Sequence, residues 1–151
     1  MEPEMEAKLQ AVIELCEEGD LEMCAFLGKE FYFGMNIPQD LDRALRYLTT
    51  AASAGDAMSQ FLVGFMHWSG RGTQPDQDKA LEWFLLASEQ GIAEAMYNVA
   101  KILLIKNPKV NQEEALSWLE RSSNAGYDAA TDMLGDVREW IAEGANDEPP
   151  I

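Results

Sequence analysis

Four glycines, Gly19, Gly55, Gly91 and Gly126, fall 36, 36 and 35 residues apart. A fixed period of this length restricts a chain to architectures in which one helical or stranded unit is copied and stacked. Other positions keep the same step. Gly28, Gly64, Ala100 and Gly135 recur together, and so do Ala44, Ala80 and Ala115. Tyr47, Trp83 and Trp118 each follow one of those alanines by three residues. The residue missing from the third copy lies in its central turn, between Lys106 and Asn111.

The period also explains the stretch WSGRGTQPD at residues 68–76. Alone, its G-x-G with an arginine inside suggests a loop that cradles phosphate. Its counterparts read GMNIPQD at 34–40 and KNPKVN at 106–111, so the glycines are lost between copies while the turn persists. A phosphate loop needs its glycines, usually with Lys and Ser/Thr directly behind. A dinucleotide site also needs a strand before it. The stretch therefore reads as a turn between two helices.

Each unit carries two helical patterns, in the second unit over about 57–69 and 77–89. Asp40, Asp76 and Asn111 stand where a short side chain caps the second helix, Asn111 in a capping box with Glu114. Gly28, Gly64 and Gly135 sit inside first helices, where glycine costs up to about 1 kcal/mol against alanine. That cost is explained if a neighbouring helix comes close there, with Ala44, Ala80 and Ala115 as the facing small residues. The chain has 151 residues, 47% of them hydrophobic, enough for one domain with a core. The expected fold is all-α: a right-handed α/α solenoid of about eight helices. A single domain spans 1–143, with a capping helix at 4–18, repeats at 19–54, 55–90 and 91–125, and a lone C-terminal helix at 126–143. Residues 144–151, EGANDEPPI from 143, read as a disordered acidic tail.

Charge narrows the partners. There are 27 acidic and 11 basic residues, net −16. Such a surface repels nucleic acid and anionic lipid and suits a basic protein, or serves solubility alone. The start, MEPEMEAKLQ, is acidic where a secretory signal is basic, and no apolar run reaches membrane-spanning length. Cys16 and Cys24 lie among apolar helical residues and are expected to be buried thiols in a reducing compartment, which makes the cytoplasm the expected location.

Chemistry is sparse. His67 is the only histidine and occupies the slot of Phe31 and Leu103, a core slot. One histidine and two dispersed cysteines do not supply the four ligands of a structural zinc. The expectation is no metal, no cofactor, no catalytic residue and no enzyme. Helix 57–69 is instead apolar nearly all round, with Met58, Phe61, Leu62, Val63, Phe65, Met66 and Trp68. Such a helix is either deep in a core or holds a binding surface.

The run LGKEFYFGMNIPQDLDRALRYLTTAASAG resembles the Sel1-like repeat, a relative of the tetratricopeptide repeat, as does VGFMHWSGRGTQPDQDKALEWFLLASEQG. YNVAKILLIKNPKVNQEEALSWLERSSNAG is a weaker third copy, with Ala100 for glycine and a shortened turn. The resemblance implies a non-catalytic protein–protein interaction module whose first helices line a concave groove. It places Glu22, Ala25, Lys29, Tyr32 and Phe33 in that groove from the first unit. The second contributes Met58, Phe61, Phe65 and Trp68, and the third Glu94, Tyr97, Lys101, Leu104 and Ile105. The last helix contributes Asp132, Asp136, Glu139 and Trp140. The implied partner is another protein or peptide, with acidic groups meeting basic ones. The narrower alternative, also from the resemblance, is a bacterial immunity protein that neutralises a basic secreted toxin or effector. Trp140 and Ile141 on the last helix offer a surface to that partner or to a second copy in a homo-oligomer.

Overall fold

The computed structural model describes residues 2–145 and 147–151. Eight helices form among them: α1 (Pro3–Glu17), α2 (Leu21–Phe33), α3 (Leu41–Ser53), α4 (Ala57–Ser69), α5 (Gln77–Glu89), α6 (Ala93–Lys106), α7 (Pro108–Asn124) and α8 (Asp128–Ala142). Neighbouring helices pair, α2 with α3 and α6 with α7, as the resemblance to the Sel1-like repeat implies. The chain forms two compact units, Met1–Ala80 and Leu81–Ile151, the boundary falling inside α5.

In the first unit α2 packs on α3, α3 on α4, and α1 on α2. Aspartates cap α2 to α5, those at Asp40 and Asp76 as the spacing predicts. The Asp40 carboxylate accepts from the Arg43 N–H at 3.0 Å, that of Asp56 from Ser59 at 2.8 Å, and that of Asp76 from Lys79 at 3.0 Å. Leu27, Leu48, Val63 and Met66 are sealed from solvent. Gly28 explains the close pairing of α2 and α3. A Cβ there would lie 2.6 Å from Leu48 Cγ and 2.9 Å from the Leu48 backbone nitrogen. The nearest atoms opposite belong to Leu48, one turn along the same face of α3 from the buried Ala44. Gly135 differs, since nothing lies within 4 Å of an added Cβ. The close-approach reading therefore fails for the lone last helix.

The turn at 68–76 is a helix stop. Gly70 ends α4 in the left-handed region at φ 71°, and its N–H donates to the Met66 carbonyl. Gly72 follows at φ 73° with no room for a side chain: a Cβ would meet the Leu41 carbonyl oxygen at 2.8 Å. The repeat shows in the hydrogen bonds that close each turn. The Asp40 N–H donates to the Phe31 carbonyl at 2.9 Å, and the Asp76 N–H to the His67 carbonyl at 2.8 Å.

In the second unit α6 packs on α7 and α7 on α8. The shortened turn moves the cap. Asn107, not Asn111, precedes α7, and its side chain accepts from the Val110 N–H at 3.3 Å. Pro108 follows at the first helical position, where its fixed φ suits a helix start. Asn111 is thereby drawn inside the helix, and its side-chain amide donates to the Leu103 carbonyl at 2.9 Å. That carbonyl is equivalent to those of Phe31 and His67, so a side chain replaces the backbone N–H of the other two turns.

Two further expectations are corrected. Cys16 and Cys24 are joined by a disulfide, and no free cysteine remains among the described residues. Eight residues apart, they sit at the end of α1 and within the first turn of α2, where the helix ends meet. Disulfides persist in oxidising compartments, so the thiol premise for a cytoplasmic location is removed. The segment 147–151, expected to be disordered, packs back onto its own unit: the Trp140 indole N–H donates to the Asp147 carbonyl at 3.3 Å. No helix among the described residues is long and apolar enough to cross a membrane.

Candidate functional site

Each unit presents a face built from first helices. In the first unit these are α2 and α4. Phe33 and Met58 are 53% and 43% exposed, Glu22 is exposed, and Lys29, Phe65 and Trp68 are half-buried. Tyr32 and Phe61 lie beneath, 5% and 8% exposed. The rings do not form one open row. They form a layer with a buried base and an accessible edge.

The base is held by a residue that sequence reasoning left in a turn. Arg71 places its guanidinium 4.9 Å above the Tyr32 ring and donates from Nη1 to the Tyr32 hydroxyl at 3.2 Å. A cation over a tyrosine face is attracted by the ring quadrupole. Phe33 meets the same ring edge-on, with centroids 4.9 Å apart. Tyr32 is thereby fixed from two sides, and Phe33 stands on it exposed. The arginine inside the G-x-G thus joins the turn to α2.

His67, next to Trp68 on α4, is half-buried and not sealed as its core slot predicts. Burial lowers its pKa first, Lys79 lowers it further, and Asp76 opposes. Its Nδ1 is buried without a hydrogen-bond partner among the described residues. The imidazole is therefore neutral at pH 7. Since the unfolded chain binds the proton more readily, His67 removes stability as pH falls below about 6.5. His67→Leu, the residue of the equivalent slot at Leu103, is expected to flatten the fall in melting temperature between pH 7 and 5. Thermal unfolding across that range checks it. Among the described residues no group of three or more His, Cys, Asp or Glu could hold a metal ion.

In the second unit the face is made by α6 and α8. Tyr97 is half-buried, packs edge-on to Tyr127 at 5.2 Å, and carries the Lys101 ammonium 5.6 Å above its ring. Glu94, Asp132, Asp136 and Glu139 are exposed, Leu104 is sealed, and Trp140 is 6% exposed. Trp140 is therefore not available to a partner or second copy while Asp147 lies on it. Burial raises the pKa of Tyr97. Burial also raises that of Tyr127, with Glu94 and Tyr97 adding to it, so both phenols stay protonated at neutral pH.

The Sel1 repeat model matches residues 21–56, 57–92 and 93–127. The chain is 30% identical over 82 residues to a putative sel1-like repeat-containing protein of Acanthamoeba polyphaga mimivirus, covering 54% of this chain and 15% of that protein. It is 31% identical over 114 residues to chitin synthase regulatory factor 1 of Schizosaccharomyces pombe, covering 73% of this chain and 25% of that one. The chain thus spans a quarter or less of the length of these two relatives. A protective antigen of uropathogenic Escherichia coli with an SLR fold superposes with a TM-score of 0.76 at 27% identity, over 93% of this chain and 30% of the antigen. Sel1 repeats serve in general as protein–protein interaction modules. With three tandem copies covering most of its length, the chain belongs to the Sel1 repeat family.

Proposed function

We propose that the chain is a non-catalytic module that holds a basic partner polypeptide, and that the α2–α4 face is one contact surface. The observation that carries this reading is Phe33. A ring 53% exposed, seated on a tyrosine that Arg71 immobilises, is an apolar anchor already in place before binding. Exposed apolar groups gathered on one face mark interaction sites. Rings supply most of the energy at such sites. Preorganisation spares the entropy of ordering them. Met58 is exposed at the other end of this face, at the repeat position of Glu22, and Phe65 and Trp68 lie partly open on the same helix. Exposed Glu22 and a net charge of −16 select for positive charge on the partner and speed its approach.

The test is affinity capture from native extract with wild type and with Phe33→Ala/Trp68→Ala. Truncation of two interface aromatics is expected to weaken capture by tenfold or more. The helical content should be unchanged, because neither ring is fully buried. Equal recovery of the same partner by both proteins would remove this face from consideration.

A further inference from the structure

The α6–α8 face is already occupied by the chain's own segment 147–151. Trp140 anchors it through the Asp147 carbonyl. Pro149 and Pro150 are half-buried beyond it. Ile151 lies between two clefts. One, of about 460 Å³, is lined by Tyr97, Met133, Asp132 and Asp136 together with Pro150. The other, of about 390 Å³, is lined by Leu104, Ile105 and Pro108 together with Glu148 and Pro149. The segment therefore runs back along α8 as an extended strap, with prolines at its centre.

We infer that this face is a docking groove for an extended Pro-Pro-aliphatic segment carrying basic residues, supplied by a partner protein, and that residues 147–151 occupy it as an internal stand-in. The inference rests on the reading of the chain as a protein-binding module. Three observations select the occupant. Consecutive prolines preset the extended conformation, so little entropy is lost on docking, and aromatic-lined grooves recognise such segments. Tyr97 and Trp140 supply the rings, and the Trp140 indole N–H supplies a donor to the segment's backbone. The third is charge. Asp132 and Asp136 line the cleft, and both are exposed. The stand-in carries two acids of its own, Asp147 and Glu148, and offers no positive charge to Asp132 and Asp136. Ile151, still 47% exposed, also leaves open volume on either side. The stand-in is thus a poor ligand kept in place by its covalent tether, and a basic counterpart is the better one.

Two labelled peptides test this by fluorescence anisotropy: EGANDEPPI, which copies residues 143–151, and EGANKKPPI, in which lysines replace the two acids. Each is titrated into the full chain and into the full-length variant Pro149→Gly/Pro150→Gly/Ile151→Ser, whose strap is loosened. A tethered segment competes at an effective concentration near millimolar. The loosened variant is therefore expected to bind EGANKKPPI at least tenfold more tightly than wild type, and EGANKKPPI to bind more tightly than EGANDEPPI. Adding 0.5 M salt should narrow the gap between the peptides. Tyr97→Ala/Ile105→Ser in the loosened variant should abolish binding with helical content intact. Equal affinity of the loosened and wild-type chains overturns the inference, as do equal affinities for the two peptides or binding that survives Tyr97→Ala/Ile105→Ser. Absence of binding to any form overturns it too. None of these outcomes touches Phe33 or Trp68, so failure here is distinct from failure of the α2–α4 face.

Discussion

Gly28→Val is expected to destabilise the first unit by about 3 kcal/mol, near the upper end for overpacking a filled core. Valine brings three carbons into a space that does not admit one. The first, Cβ, would fall 2.6 Å from Leu48 Cγ and 2.9 Å from the Leu48 backbone nitrogen. A side chain can swing away, but the backbone of α3 cannot without separating the two helices. Leu48 is fully buried and has no solvent side to retreat to. A β-branched residue also loses χ1 freedom in a helix. The melting temperature should fall by roughly 10 °C, at about 2–4 °C per kcal/mol for a chain of this size. Gly135→Ala is the control. It occupies the equivalent repeat position, yet an added Cβ meets nothing within 4 Å. Relief of the helix penalty of glycine should raise stability by up to about 1 kcal/mol. Thermal and urea unfolding of both variants decide the matter. A Gly28 variant as stable as wild type would show that α2 and α3 are not held at this distance.

The contrast between Gly28 and Gly135 shows how far the repeat could be read. Period and patterning located the helices closely: α4 and α5 begin and end at the residues the second unit suggested. Caps at Asp40 and Asp76 followed from local chemistry, because an aspartate before an apolar-periodic run has one favourable use. Errors arose where one copy departs from the others. Losing one residue from the third turn left two asparagines in reach of a helix start, and Pro108 decided for Asn107. Gly135 keeps the glycine of the repeat although nothing lies within 4 Å of an added Cβ.

The faces were legible in outline and not in detail. Spacing along α2 and α4 gathers Tyr32, Phe33, Phe61 and Trp68. It does not tell which rings are buried. For Tyr32 it is Arg71 that covers the ring, from a turn whose side-chain direction has no periodic signal. The strap at 147–151 was hidden for a related reason. Its acids and prolines have the composition of a solvated tail, and only Trp140 and the α6–α8 clefts reveal a place for it.

The second large effect is expected from Cys16→Ala/Cys24→Ala. A bridge closing a loop of this size, with the cysteines eight residues apart, restricts the unfolded chain by about 2.5 kcal/mol on the loop-entropy account. The loss should be concentrated in α1. That helix buries only Cys16, while Met5 and Leu15 remain 40% and 44% exposed. An apolar cleft of about 250 Å³, lined by Met5, Leu9, Val12, Phe26 and Ile37 among others, lies open between α1 and α2. With so little packing, α1 depends on the covalent link at its end. Amide hydrogen exchange should therefore show α1 deprotected in the double variant, with α2 and α3 retaining most of their protection, because local opening precedes global unfolding where buried contacts are few. Dithiothreitol should reproduce the pattern in wild type and change nothing in the variant. If α1 keeps its protection without the bridge, apolar packing and not the disulfide seats it.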